Sequence, residues 1–447
     1  METIVSLCKR RGFVFQGSEI YGGIGGFWDY GPLGVELKNN IKRAWWKAMV
    51  QERDDIVGID AAVIMNPSVW VASGHVATFS DPLVECKNCH HRFRADKLQG
   101  DVCPDCGSQG TMTEPKQFNL LFKTHVGPVE EEAAVAYLRP ETAQGIFVNF
   151  LNVQQSMRKK IPFGIAQIGR SFRNEIITGN FIFRDREFEQ MEMEFFIKPG
   201  TEDEWHDGWR DIRLNWWKRT FHIADDHIRI KVIRHQQATA IIGPDPQDVE
   251  QEKPPHYSKG NYDIEYKFPM GWSEIEGIAS RTNYDLSQHQ QFSGKELQYF
   301  DDETKEKYIP YVVEPAMGVD RAVLVALFES YREEKVRGEK RVVLALPYGL
   351  APIKAAVLPL LRNRSEIVEM ARNLTAELKT QMMATYDDTA GIGRLYRRQD
   401  EIGTPFCVTV DVQSLEDKQV TIRDRDSMEQ VRVPLDQVKG TLLGRLG

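Results

Sequence analysis

The sequence predicts an α+β protein, with an antiparallel-sheet body that carries a cysteine-bearing insertion and a smaller α/β domain at the C-terminal end. Three observations predict it. Residues 164–196 read as strand, polar loop, strand, and the return run 187–196 alternates polar and apolar residues like a half-buried strand. Two Cys-x-x-Cys pairs interrupt the chain inside residues 83–110. After the charge run 332–341, strand and helix patterns alternate afresh, as in a small α/β domain.

Length and composition bound the rest. A chain of 447 residues suffices for two or three domains and a sizeable core. With 41% hydrophobic and 27% charged residues, the composition is that of an ordinary globular protein. No apolar run approaches the roughly 18 residues of a membrane helix. The start, METIVSLCKRRGF, lacks a signal peptide's apolar core. A cytoplasmic enzyme with no membrane association is therefore expected. The net charge of −8 does not point to nucleic acid, although local patches decide such binding. Residues 341–447 hold 15 Lys+Arg against 14 Asp+Glu, so the acidic excess lies in the body.

The elements follow in order. Residues 1–11 suit a short helix, and GSEIYGGIGGFWDYGPLG is a turn-rich loop anchored by Trp28 and Tyr30. Apolar residues at helical spacing predict a helix over 33–52, and a strand over 56–64 ends at Asn66-Pro67. Residues 73–82 read as a loop. Residues 117–122 form a short strand, Pro140 ends another, and 142–159 suit a helix. Aromatic residues recur at helical spacing within 201–234, a packing face rather than a nucleic-acid surface. Residues 244–255 read as an exposed loop, and a sheet pattern returns from 256. In 312–321 a strand meets a helix at Gly318, which allows backbone to approach a ligand. Residues 332–340 suit a linker. VVLALP is a buried strand, and a charged helix spans 365–383.

The cysteines are the clearest metal signal. Cys86-x-x-Cys89 and Cys103-x-x-Cys106 stand 13 residues apart, slightly closer than in the usual zinc ribbon. Four thiolates suit a tetrahedral zinc ion, and such a set leaves no open position, so the role would be structural. Disulfides are the competing reading, disfavoured in a reducing compartment. His90 and His91 are alternative ligands, while Cys8 and Cys407 read as ordinary thiols.

The hairpin carries the chemistry. Side chains repeat every two residues on a strand, so Arg173 and Glu175 share one face, as do Phe188, Gln190 and Glu192. A guanidinium matches phosphate oxygens with a planar fork, a carboxylate accepts from an exocyclic amine, and an aromatic face carries a base.

FRNE followed by FRDREFEQMEMEFF resembles motif 2 of the class II aminoacyl-tRNA synthetases, and among them the glycyl-tRNA synthetase family. The resemblance implies an antiparallel-sheet catalytic domain. It places Arg173 on the ATP α-phosphate, Glu175 on the adenine amino group, Phe188 against adenine and Arg184 near the terminal phosphates. Asn174, Phe183, Asp185, Arg186 and Glu187 complete this ATP segment, and Phe188, Glu189, Gln190, Met191 and Glu192 form a glycine segment. RPETAQG resembles a second signature of the family and implies Glu141 as a ligand of the substrate ammonium. HRFRADK implies Arg94 as a substrate contact. The run ending GWSEIEGIASRTNYDL implies Glu274 and Ile275 at the nucleotide, Glu274 as a magnesium ligand, and Arg281 pointing into the same site.

EPAMGVDR resembles motif 3, with Arg321 on the γ-phosphate. It assigns Gly318, Val319 and Asp320 to ATP and Glu314, Pro315, Ala316, Met317 and Gly318 to glycine. Ala316 stands where the family is expected to have serine. Residues 33–67 resemble motif 1 and imply a homodimer. GIGRLYRRQDEIG resembles the anticodon-binding domain shared by glycyl, histidyl, prolyl and threonyl synthetases. There Arg394, Arg397 and Arg398 would hold phosphates and Tyr396 would stack on a base of the glycine tRNA.

The division implied is a catalytic domain over 1–331, with a zinc-ribbon-like insertion at 83–110 and a helical and loop insertion at 201–255. A linker at 332–340 and an anticodon-binding domain at 341–447 complete it. The activity implied is glycine–tRNA ligation, with Arg173, Arg321 and Glu274 as catalytic residues and ATP, Mg2+ and structural Zn2+ as the small partners. An adenylate-forming paralogue and a non-catalytic RNA-binding relative are the rival classes. The C-terminal domain opposes the first, and Arg173, Glu175 and Arg321 oppose the second.

Overall fold

A computed structural model describes residues 1–98, 100–128, 134–235, 239–247, 252–255, 257–336 and 338–446. Its centre is an eight-stranded sheet. The hairpin Phe163–Phe172 and Glu187–Ile197 lies near one edge, with Ile56–Gly58 beyond it as the one parallel neighbour. On its inner side Glu187–Ile197 pairs antiparallel with Tyr311–Gly318, which pairs with Gly271–Thr282. Gly260–Phe268, Ile228–Arg234 and Ala240–Ile242 finish the order.

The pleat sorts the side chains. Met191, Met193, Phe195 and Ile197 face the main apolar core, shared with helices Pro32–Trp46, Glu202–Phe221 and Val319–Ser330. Phe196 faces the other way, into a second cluster with Phe147, Phe150, Phe163 and Leu286. One sheet face is thus covered by helices along its length. The other is closed at its deep end only, which leaves a basin above it.

Several local expectations change. The strand over 56–64 ends at Gly58, and Pro67 opens a helix, Pro67–Ala72, whose first turn is capped by the Asn66 side chain accepting from the Ser68 amide at 2.9 Å. Residues 73–82 hold a short helix, His75–Thr78, and enter the strand Ser80–Glu85. The 142–159 helix is two, Ala143–Phe147 and Phe150–Ser156, parted at Asn149, whose side chain donates to the Gly145 carbonyl at 2.8 Å. The loop over 244–255 lies partly outside the described residues.

The supposed linker is a hairpin, Tyr331–Val336 with Glu339–Leu344. Val342, Val343 and Leu344 of VVLALP therefore belong to this ribbon, and no part of that run to the C-terminal sheet. Its charges pair with one another across strands, Lys340 with Glu333 at 2.9 Å and Arg341 with Glu334 at 2.8 Å. Arg341 is buried and also donates to Asp400 at 2.8 Å. Beyond it, five strands in the order Ala384–Tyr386, Ala355–Pro359, Phe406–Val410, Gln419–Asp424, Gln430–Pro434 form the C-terminal sheet. Ser365–Lys379 and Ile392–Ile402 are its larger helices.

Candidate active site

The basin holds a cavity of about 420 Å³. The return strand sends Phe188, Gln190 and Glu192 into it. Period two sends their neighbours elsewhere, which corrects a run of consecutive site residues. Met191 lies in the helix-side core. Glu189 pairs with Lys38 at 2.9 Å and Lys42 at 3.2 Å, and Glu187 pairs with Arg170. These three side chains do not line the cavity.

Arginines gather at the outer end. Arg173, Arg184 and Arg321 all line the cavity. Arg173 donates through Nε to the Pro140 carbonyl at 3.0 Å, and its guanidinium lies 5.3 Å from the Phe188 ring centre. Arg184 lies 3.6 Å from Glu175. Arg321 donates to the carbonyls of Glu274 at 2.6 Å and Phe183 at 3.3 Å, its guanidinium 4.3 Å from the Phe183 ring centre. Burial, countered in part by Glu274, holds Arg321 below its ordinary pKa, with Arg184 and Arg173 adding repulsion. Three guanidiniums on one wall, two of them 3.6 Å from Glu175 and Glu274 and the third without an ion pair among the described residues, make a place for a polyanion. Gly318, at the turn into Val319–Ser330, lines the same wall.

Other assigned residues lie elsewhere. Arg186 donates to the Glu175 carbonyl at 2.8 Å and the Gly25 carbonyl at 2.6 Å, and so fastens the GGIGG loop to the hairpin. Gly26, at φ 78°, permits this closeness, since a Cβ there would sit 2.4 Å from Thr178. Ile275 and Val319 are core residues. Asn174 and Pro315 are absent from the cavity wall, and Arg94 pairs with Asp81 at 2.7 Å and Asp96 at 2.8 Å on the cysteine-bearing insertion.

Carboxyls gather at the inner end. Glu192 accepts from the Thr142 amide at 3.0 Å and from its hydroxyl. Glu141 accepts from Gln144 at 2.9 Å and lies 3.5 Å from His75. Glu314 accepts from Arg281, which also grips Asp285 with two bonds of 2.8 Å and rests 3.9 Å from the Tyr257 ring centre. Gln144 joins the groups, donating to Asp285 at 3.0 Å and facing His289 at 2.7 Å. Burial disfavours the Glu141 carboxylate, yet His75 and Arg281 outweigh it and hold its pKa low. Burial, together with the charge of Glu141, raises Glu192. Burial raises Glu314 as well, despite Arg281. The sequence reading missed His75, Asp285 and Gln144, although Gln144 lies inside RPETAQG.

Asp185 supplies a pH test. It is buried, its Oδ1 has no hydrogen-bond partner among the described residues, and burial with the nearby Asp320 pushes its pKa to about 8. The folded chain then holds a proton that the unfolded chain releases near the ordinary carboxylate value of about 4. Stability from this group is fully present below that value and is lost as pH rises toward 8. Asp185→Asn should therefore lose less stability than the parent between pH 5 and pH 9 in urea titrations. An unchanged slope would contradict the assignment.

The four Sγ atoms of Cys86, Cys89, Cys103 and Cys106 lie within 4.8 Å of one another, a group that could hold a metal ion. Cys86 and Cys106 are 3.7 Å apart and Cys89 and Cys103 3.6 Å. A tetrahedron of thiolates about 2.3 Å from a zinc centre has edges of about 3.8 Å, so the donor set fits zinc. In the C-terminal domain Arg394 and Arg397 have no ion pair among the described residues, while Arg398 reaches Asp387 at 3.4 Å. Tyr396 is half-buried, its hydroxyl bonded to Thr409 at 2.6 Å and Arg423 over its ring, so it is not an open stacking platform.

Two family models match the chain. The tRNA synthetase class II core domain (G, H, P, S and T) matches residues 122–331, and the anticodon binding domain matches residues 354–445. Among curated relatives, a glycine–tRNA ligase of Thermobifida fusca is 54% identical over 100% of this chain and 98% of its own. A glycine–tRNA ligase of Treponema denticola is 54% identical over 97% of this chain and 94% of its own. One of Bacillus cereus is 50% identical over 99% and 98%.

Proposed function

The chain belongs to the glycine–tRNA ligase family, with a class II synthetase core and an anticodon-binding domain, and on that premise we propose how its residues share the reaction. It is an ATP-dependent aminoacyl-tRNA ligase. The observation that carries the residue assignment is one cavity with arginines at its outer end and buried carboxyls at its inner end. ATP phosphates suit the first and an amino-acid ammonium the second.

The glycine carboxylate attacks the α-phosphorus of ATP, an O–P bond forms, and the bond to pyrophosphate breaks. Arg173 holds the α-phosphate and Arg321 the γ-phosphate, with Arg184 between solvent and the terminal phosphates. The adenine lies on Phe188 with its amino group toward Glu175. Glu141, Glu192 and Glu314 meet the ammonium. The terminal ribose hydroxyl of tRNA then attacks the glycyl carbonyl and releases AMP. The chain's contribution is position and charge. A magnesium ion, which neutralises triphosphate charge, would be held by Glu274 with Asp263. Both line the cavity, where burial, with the charge of Glu274, pushes Asp263 to about 7 although Lys231 lies 3.6 Å away. Ala316 stands beside Glu192 in register, so its methyl group takes the place of the expected hydroxyl on the pocket wall. A pocket packed tightly around glycine can exclude every larger substrate, although one methylene is usually worth only ~1–3 kcal/mol.

The domain division follows, with the catalytic body to about residue 331 and the anticodon-binding domain beyond the hairpin. Arg394, Arg397 and Arg398 meet tRNA phosphates. Pro32–Trp46 and the strand after it form a homodimer face, which light scattering at micromolar concentration would disprove by finding a monomer. No helix of the described residues is long and apolar enough to cross a membrane, and a cytoplasmic location suits the substrates.

The four cysteines hold structural zinc. Protein purified without chelator should contain about one zinc per chain. Cys103→Ser should lose it, and metal-free parent protein would remove the claim. The function itself is tested by charging total tRNA with each amino acid in turn. Charging with glycine alone is expected. Charging with another amino acid, or none, would reject the reading.

A further inference from the structure

Glu194 is a glutamate that the reaction above does not use. It follows Glu192 on the same strand and, by period two, on the same face. Two residues further, Phe196 enters the apolar cluster that closes the basin. Glu194 therefore sits at the boundary between pocket and core. It is fully buried, it does not line the cavity, and neither carboxyl oxygen has a partner among the described residues. Its carboxyl nonetheless gathers with those of Glu192 and Glu314, one oxygen of each lying within 4.8 Å of the others.

Every neighbouring element bears on its charge. Its own strand offers Glu192, Tyr311–Gly318 offers Glu314, Gly271–Thr282 offers Arg281, and Tyr284–Ser293 offers Asp285. The strand on its other side offers only Ile165 in register. Arg281 is already engaged by Glu314 and Asp285. A carboxylate with no hydrogen bond and no free cation is far more costly in such a place than a neutral carboxyl.

We propose that Glu194 is a positioning residue that stays neutral beside Glu192 and Glu314, so that only carboxylates within reach of the substrate ammonium carry charge. Burial, then the charge of Glu314, raises its pKa well above the ordinary value, in keeping with this. The neutral carboxyl adds no further negative charge beneath the acids of the pocket. It also separates the charged pit from the apolar floor. The inference rests on the reading of Glu192 and Glu314 as ammonium ligands.

The test compares Glu194→Gln, Glu194→Ala and Glu192→Gln in the full chain. Gln copies the shape and the donor of a neutral carboxyl, so Glu194→Gln should keep the glycine KM in pyrophosphate exchange within about threefold of the parent. Glu194→Ala should raise it by about tenfold or more, because Glu192 and Glu314 then lose the side chain packed within 4.8 Å of them and the floor beneath them opens. The infrared difference spectrum, parent minus Glu194→Gln at pH 8, should show the carbonyl stretch of a neutral carboxylic acid. If Glu194→Gln raises the glycine KM as much as Glu192→Gln does, Glu194 is a charged ligand and the proposal fails. A difference spectrum without that band overturns it whatever the KM values do. If Glu192→Gln leaves the glycine KM unchanged, the ammonium reading fails instead, while the infrared band still decides the state of Glu194.

Discussion

Arg173→Ala is expected to lower glycine-dependent ATP–pyrophosphate exchange by about 10²–10³-fold, the scale of losing one well-placed donor to a developing charge. The loss should fall on kcat more than on the KM for glycine, because the residue lies at the arginine end of the cavity and the carboxyl pit is left whole. The fold should survive. Arg173 makes one hydrogen bond to the chain, to the Pro140 carbonyl, and has no ion pair among the described residues. Arg321 is a less clean target, since it also ties Phe183 to Glu274 and its removal loosens the wall. Arg173→Lys keeps the charge but not the planar fork, so it should recover only part of the rate. The check is exchange at saturating ATP beside a urea melt of each variant. A folded Arg173→Ala protein exchanging near the parent rate would move the α-phosphate elsewhere.

The hairpin that carries Arg173 was legible because strand periodicity is strict. Once 187–196 reads as a strand, the positions of Phe188, Gln190 and Glu192 on one face follow. Motif strings blur this rule, since they run through consecutive residues. Glu187, Glu189 and Met191 entered the candidate site in that way and belong to the opposite face, where Lys38 and Lys42 take Glu189 and the core takes Met191. The linker failed for a related reason. A run of mixed charges reads as solvated coil, but the same charges placed on two paired strands satisfy one another. Nothing local says that Arg341 will be buried, because its partner Asp400 lies 59 residues away. His75, Gln144 and Asp285 were missed as well. His75 reaches Glu141 only through the fold, whereas Gln144 and Asp285 stand three and four residues from Glu141 and Arg281, a spacing the sequence did offer. The cysteines were the opposite case, because four ligands in two short knuckles carry their geometry in the sequence.

Arg281→Met should lower stability at pH 8 by about 3–5 kcal/mol, the usual cost of leaving a buried charge without its partner. That is a large share of a total stability of roughly 5–15 kcal/mol. Arg281 is buried, holds Asp285 with two bonds of 2.8 Å, and donates to Glu314. Methionine has similar length and no charge, so the effect is electrostatic and not a cavity. The pH dependence separates this from lost packing. In the parent, burial already raises Glu314, and without Arg281, which opposes that rise, Glu314 resists ionisation further. The folded variant then binds more protons than its unfolded chain above about pH 4, so its stability falls as pH rises. The deficit against the parent should therefore shrink on going from pH 8 to pH 5. Glycine binding should weaken with it, because Glu314 turns toward whichever proton donor remains. Urea titrations at both pH values decide the matter. A loss below about 1 kcal/mol at pH 8, the size expected of an exposed pair, would show that the carboxyls of this pit keep their arrangement without the arginine.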